Sequence, residues 1–359
     1  MTPPPETEPG VVRAPARSTG PTRVDAALVR DILRAARLRA RHSLSQNFLT
    51  DVGVLEEILS EARPRSGERV LEIGPGLGIL TQSLLEAGAL VTAVELDFGL
   101  AGWLRGRFAA AIQRAAEPLA ERPAERPREP LADASADPSA GPGSLVLIEG
   151  DILDQDLTTL VAPPFAVVAN IPYHITSPIL HRLLELERPP NRLVLMVQRE
   201  VAERIAAPPG GMSYLSVFVQ YHAHVRLAAM VPRTAFEPEP AVESAIVVVE
   251  PCEPAIAGSD RLAPAQEDDL WRLVQAAFRE RRKMLHNVLA RQLPMDPSRV
   301  RSALEAAGID PDRRPQTLSV EEWLALLRNL GPLAPDQRGR RQGPAGDSAD
   351  PAIADEPSE

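Results

Sequence analysis

Four short stretches carry side chains whose types and spacing could do chemistry. In the first, Val70-Leu71-Glu72-Ile73 runs into Gly74-Pro75-Gly76-Leu77-Gly78. An apolar run that ends in closely spaced glycines and then turns helical lets a ligand approach the backbone closely. The second is Glu95, which ends the next apolar run 21 positions after Gly74. An acidic residue there accepts hydrogen bonds from ribose hydroxyls in dinucleotide folds. The pair supports any nucleoside-bearing cofactor, NAD and S-adenosylmethionine included. Asp151, in Glu149-Gly150-Asp151, puts a further carboxylate after the third run. The fourth stretch is Asn170-Ile171-Pro172-Tyr173. An exocyclic amine on a nucleobase is a poor nucleophile, because its lone pair is delocalised into the ring. The Asn170 side-chain oxygen and a neighbouring carbonyl can accept its two N–H bonds and favour a pyramidal nitrogen aimed at a methyl donor. Pro172 brings no N–H and fixes φ, keeping carbonyls turned into a pocket. Tyr173 offers a face on which an extruded base can stack, worth roughly 1–3 kcal/mol. Each stretch alone has a plainer alternative: a tight strand–helix turn, a solvated carboxylate, a structural β-turn. Their order along the chain makes coincidence a poor account.

The elements that must position them alternate. Short apolar strands are expected at 69–73, 90–96, 145–148, 165–169 and 193–197, with helical runs at 79–87, around Leu100 to Leu104 and at 199–205. Repeated β-α units of this spacing argue for a parallel, doubly wound sheet, whose strand ends would gather the four stretches at one crevice. Tyr214–Tyr221 and Ala245–Val249 are β-branched or aromatic runs that could form a closing antiparallel pair. From about Gln266 the pattern turns helical: Leu270, Leu273, Val274, Ala277 and Phe278 recur at helical spacing, and two elements follow at 298–307 and 320–330.

Here the chain resembles the ribosomal RNA adenine N6,N6-dimethyltransferase family, in its small-subunit branch. Ser43-Leu44-Ser45-Gln46-Asn47-Phe48-Leu49 is similar to that family's N-terminal signature, with Ser45 where glycine is usual. Glu72 to Gly78 resembles its cofactor loop and Asn170 to Tyr173 its target-base motif. Further similar stretches are Val231 to Phe236 with Glu239 to Ala245, Ala277 to Lys283, and Gln316 to Trp323. The resemblance implies a Rossmann-like class I methyltransferase sheet with a small C-terminal all-helical domain. It implies that Asn47 and Leu49 cover bound S-adenosylmethionine, that Gly74 contacts it through the backbone, and that Glu95 holds its ribose. Asp151 would meet its adenine amine, and Asn170 would stand where cofactor and target base join. Phe236 could close over the base opposite Tyr173, or anchor its loop in the core. The implied partner is small-subunit ribosomal RNA in a precursor particle, and the implied reaction is dimethylation of two adjacent adenosines near its 3′ end. Rival readings are a resistance-type methyltransferase of large-subunit RNA, a DNA adenine methyltransferase, or a non-catalytic RNA-binding assembly factor. Phe98-Gly99 after Asp97 departs from the family's usual pattern.

Composition sets the limits. The chain has 359 residues and a formal net charge of −10, with 44% apolar residues, enough to build a sizeable core. A lone Cys252 excludes an intramolecular disulfide and thiolate metal clusters, and no metal is expected. No apolar run reaches membrane-spanning length, and the first residues do not read as a signal peptide, so a cytoplasmic monomer away from membranes is expected. Segments 1–27, 109–143 and 332–359 hold six, six and five prolines and none of the thirteen aromatics, and read as two disordered tails and a disordered insertion. The methyltransferase domain is then 28–255 and the helical RNA-binding domain 256–331. Arg279, Arg282, Lys283 and His286 read as the polar side of the helix that buries Val274 and Phe278. That face is either solvated or an RNA phosphate track. Arg34, Arg37, Arg39 and Arg41 form a second basic strip. His222 and His224 alternate on an expected strand with no cluster of metal ligands around them.

Overall fold

The computed structural model describes residues 26–36, 38, 40–41, 46–116, 142–252 and 262–333. Its centre is a seven-stranded sheet in the order β4-β3-β2-β5-β6-β9-β7, formed by Ser144–Glu149, Leu90–Glu95, Arg69–Ile73, Ala166–Asn170, Arg192–Gln198, Ser244–Pro251 and Ala223–Val231. The first five strands are parallel, with Val70 beside Val91 and Ala166. β9 runs antiparallel between β6 and β7, so an expected closing pair exists but with Ala223–Val231 as its partner strand. The interiors of the central strands are apolar apart from Glu72 and Thr92, because helices cover both faces. On these faces lie α2 (Val52–Ala62), α3 (Ile79–Glu86), α4 (Phe98–Arg107), α5 (Ala109–Ala116), α6 (Leu157–Leu160), α7 (Thr176–Leu184), α8 (Arg199–Ile205) and α9 (Tyr214–His222). β2 and β5 are the central neighbours from which the strand order runs outward in both directions. The crevice beyond their carboxyl ends is where ligands bind in open α/β sheets.

Tyr214–Tyr221 is a helix, not the expected strand. Ser213 and Ser216 form a reciprocal capping box at its start. Leu215, Val217, Phe218 and Val219 are all buried, because α9 lies between the sheet and the C-terminal helices. A helix covered on both sides has no polar face, so its sequence loses the periodicity that would distinguish it from a strand. His222 is accordingly the last residue of this helix, stacked with Trp271 at the junction, while His224 lies on β7.

The C-terminal unit consists of α10 (Pro264–Phe278), α11 (Leu285–Gln292), α12 (Pro297–Ala306) and α13 (Val320–Leu330) around Trp323, with Met212 and Val217 completing its core. The expected domain boundary at 255–256 falls outside the described residues. Helix α10 ends at Phe278, so Arg279, Arg282 and Lys283 occupy its cap and the following turn, and His286 belongs to α11. They do not share one helix face, as the sequence suggested. The ordered chain is also longer than proline content implied. Helix α1 (Ala26–Ala35) begins inside the expected tail, Leu333 is buried beyond α13, and α5 occupies the first part of the expected insertion. Alanine-rich α5 needs no aromatic anchor: Ala111 and Ile112 pack beside Phe108, and Arg114 Nε donates to the Gly143 carbonyl at 2.9 Å. Residues 117–141 lie outside the described residues, and their flanks sit at the amino end of β4, opposite the crevice.

Candidate active site

The floor of the crevice is the loop after β2. Gly74 and Gly76 have φ of +66° and +59°, and Gly78, at +78°, starts α3. A Cβ on Gly78 would stand 2.5 Å from the Phe108 ring, and one on Gly76 would press on Phe48 at 3.3 Å, so side chains here would fill or distort the loop. Glu95 ends β3 and is 5% exposed. Its two oxygens accept from Gly76 N–H at 3.0 Å and Asp97 N–H at 2.9 Å. Burial raises its carboxyl above the ordinary value, with those N–H groups opposing. Glu72, inside β2, is 1% exposed and pushed up to about 8, chiefly by burial, while the neighbouring Thr81 hydroxyl pulls the other way. Its Oε2 has no hydrogen-bond partner among the described residues. At the third strand, Asp151 accepts from Leu153 N–H at 2.8 Å through one oxygen.

Across the crevice, β5 delivers Asn170. Its side-chain nitrogen donates to the Asn47 carbonyl at 3.4 Å, which leaves the amide oxygen for a ligand donor. Tyr173 starts a single 3₁₀ turn over 173–175, and its hydroxyl shares a 2.9 Å hydrogen bond with Ser244 at the start of β9. Burial raises this phenol, so it stays neutral and the ring is held in place. The roof comes from the N-terminal segment. Phe48–Leu49 (β1) pairs antiparallel with Phe236–Glu237 (β8), Leu49 opposite Phe236. Phe236 is 2% exposed, so it is a core anchor that also borders the cleft.

Asn47, Leu49, Gly74, Glu95, Asp151, Asn170, Tyr173 and Phe236 therefore line one cleft, whose open volume, mouth included, is about 1180 Å³. Glu72, Gln46 and His174 line it too; the first two lay within the motif stretches without a role of their own, and His174 was not named. An acid inside the apolar run Val70 to Ile73 was the available signal for Glu72; Ser244 lay in the family-like stretch Glu239 to Ala245, where nothing tied it to Tyr173. Arg279, Arg282 and Lys283 lie apart from the cleft. All three are exposed, and none has an ion pair among the described residues. The other basic strip is partly spent: Arg34 pairs with Asp31 and Arg41 with Asp97, while Arg37 and Arg39 lie outside the described residues.

The cleft fits an elongated nucleoside ligand. Glu95 and Asp151 present acceptors at successive strand ends, the glycine loop opens the backbone, and Glu72 is a buried polar group with capacity to spare. Comparison with known proteins agrees with this geometry. Residues 37–114 and 128–330 match the family model described as ribosomal RNA adenine dimethylase. The chain is 42% identical over 307 residues to a ribosomal RNA small subunit methyltransferase A from Anaeromyxobacter sp. (strain K), covering 82% of this chain and 94% of that one. Its counterpart in Geobacter sulfurreducens is 39% identical, with coverage of 83% and 98%. Two solved structures, the 23S rRNA methyltransferase ErmE and a dimethyladenosine transferase from Plasmodium falciparum, each show a TM-score of 0.58 at 26% identity. They cover 79% and 78% of this chain, and 99% and 95% of their own.

Proposed function

The chain belongs to the ribosomal RNA adenine dimethylase family, and from that premise we propose that it dimethylates N6 of two adjacent adenosines near the 3′ end of small-subunit ribosomal RNA. When bound, S-adenosylmethionine supplies an electrophilic methyl group on a sulfonium. Glu95 would hold its ribose, Asp151 its adenine amine, and Asn47, Leu49 and Gly74 would enclose it. Asn170 carries the reading furthest. It stands at the end of β5 with its nitrogen engaged by Asn47 and its oxygen left to accept from the N6 amine. Tyr173, tethered to Ser244, gives the extruded base a fixed platform, with Phe236 on the roof opposite. The proton of the methylated amine passes to solvent. Catalysis is then mostly positioning, which can supply up to ~7–11 kcal/mol. N6 is occupied in a paired helix, so the target base must be unpaired or flipped out.

Arg279, Arg282 and Lys283 would contact RNA phosphates, giving affinity that depends on RNA shape rather than on a long sequence. The small-subunit assignment is supported by relatives of that name aligned over most of both chains. The test is to incubate the enzyme and labelled S-adenosylmethionine with precursor small and large subunits that lack the modification, then digest to nucleosides. Dimethyladenosine in small-subunit RNA is expected. Dimethyladenosine confined to large-subunit RNA would move the chain to the resistance-type activity.

A further inference from the structure

The roof of the cleft is fastened to its floor by a buried carboxylate that the reaction itself does not use. Asp97 lies two residues beyond Glu95, with a side chain 5% exposed, and its oxygens divide two tasks. Oδ1 caps α4, accepting from Gly99 N–H at 2.8 Å and Leu100 N–H at 3.1 Å. Oδ2 faces the N-terminal segment, taking Arg41 Nε at 3.2 Å and Gln46 Nε2 at 3.3 Å. Arg41 and Gln46 are joined in turn, because Arg41 N–H donates to Gln46 Oε1 at 2.8 Å. The next residue, Asn47, offers the carbonyl that engages Asn170.

The chain on either side of this segment is fastened separately. Arg30 pairs with Glu237 at 3.0 Å, and Thr50 N–H donates to the Ala235 carbonyl at 2.8 Å. Leu38 packs so closely on α4 that a Cβ at Gly99 would lie 2.6 Å from it. That contact gives a reason for glycine at a position where the chain departs from its family's pattern.

We infer that Asp97 and Arg41 are positioning residues: their ion pair holds Gln46 and Asn47 over the cofactor and keeps the Asn170 amide in register with it. The inference rests on the reading of this cleft as an S-adenosylmethionine site. Asp97 sits on the ribose-anchor strand and Asn47 beside the target-base motif, so the pair couples the two halves of the cleft through the roof. The charge on Arg41 is largely exposed and that on Asp97 buried, which makes the contact sensitive to salt while sparing the core.

The test measures S-adenosylmethionine binding by calorimetry, dissociation of S-adenosylhomocysteine by stopped flow, and amide hydrogen exchange at residues 46–50. Arg41→Ala should weaken cofactor affinity about three- to tenfold, mainly through faster dissociation, on the scale of a half-exposed ion pair. Exchange at 46–50 should quicken, and the deficit should shrink at high salt. Arg41→Lys should recover part of the affinity. Asp97→Asn keeps an acceptor for the α4 cap, so it should resemble Arg41→Ala. The double variant should be no worse than Asp97→Asn alone, because that change already breaks the ion pair together with the Gln46 contact. Wild-type binding with unchanged affinity in Arg41→Ala would overturn the inference alone, as would losses that multiply in the double variant. Absence of cofactor binding by the wild type would overturn the reading of the cleft and the inference with it.

Discussion

In the cleft, Glu72 and Glu95 are 1% and 5% exposed on neighbouring strands, and Glu95 is held by the N–H groups of Gly76 and Asp97. In the turn after α10, Arg281, Arg282 and Lys283 stand in solvent, and no acid pairs with them among the described residues. The first region offers polar groups fixed before any ligand arrives, in surroundings where an unmet hydrogen bond is costly. The second offers charge alone, which is long-ranged, tolerant of geometry and weakened by salt. The cleft should therefore govern cofactor binding and turnover, and the turn should govern docking of RNA.

The largest expected effect lies in the buried acid. Glu72 has an ordinary value of 4.5 and is pushed up to about 8 in the fold. Between those values the folded chain binds a proton that the unfolded chain has released. The stability this confers is complete below about pH 4.5 and is lost as pH rises through 8. Chemical denaturation from pH 5 to 9 should show Glu72→Gln gaining on the wild type by an amount on the order of 4 kcal/mol. Parallel curves for the two proteins would show that Glu72 is charged in the fold. The exposed turn should impose no such slope.

Asn170→Ala should come next. Turnover should fall by ~10²-fold or more, as expected for a group acting on transition-state geometry, while RNA affinity stays unchanged. Single-turnover rates on precursor particles, compared with filter binding, separate the two quantities. Equal loss of both would erase the distinction between cleft and turn.

Glu95→Ala is expected to weaken S-adenosylmethionine binding by about 1.5–3 kcal/mol, the usual scale for hydrogen bonds to a charged group. Because burial raises this carboxyl, wild-type affinity should decline on acidification at a higher pH than an ordinary carboxylate would give. Calorimetry across the acid range checks both points, and a flat profile would remove Glu95 from the ribose.

The smallest effect belongs to the turn. Replacing Arg282 and Lys283 by alanine should reduce the salt slope of RNA binding by roughly one unit per residue or slightly less, with cofactor affinity untouched. A fall in cofactor affinity would mean that the turn and the cleft are coupled.

Much of the site was legible before folding was considered, because each part is local. The glycines after β2 have positive φ, Glu95 ends one strand and Asp151 follows the next, and Asn170 ends another just before Tyr173, so a one-dimensional pattern of strand, turn and helix places them. The alternation of elements determined the parallel sheet in the same way. Tertiary structure alone decided what depends on partners distant along the chain. Tyr214 to Tyr221 became a helix because two layers bury it, which removed the polar face that periodicity needs. Arg279 to Lys283 left the helix they seemed to extend, because α10 stops at Phe278 and α11 starts a new direction. Phe236 acquired its place by pairing with Leu49, and Tyr173 by reaching Ser244. Arg41 reads as one member of a basic strip, and becomes half of a latch only when the fold brings Asp97 to it. Local sequence fixes backbone geometry over a few residues; which side chains meet across the cleft is set by the packing of the whole sheet.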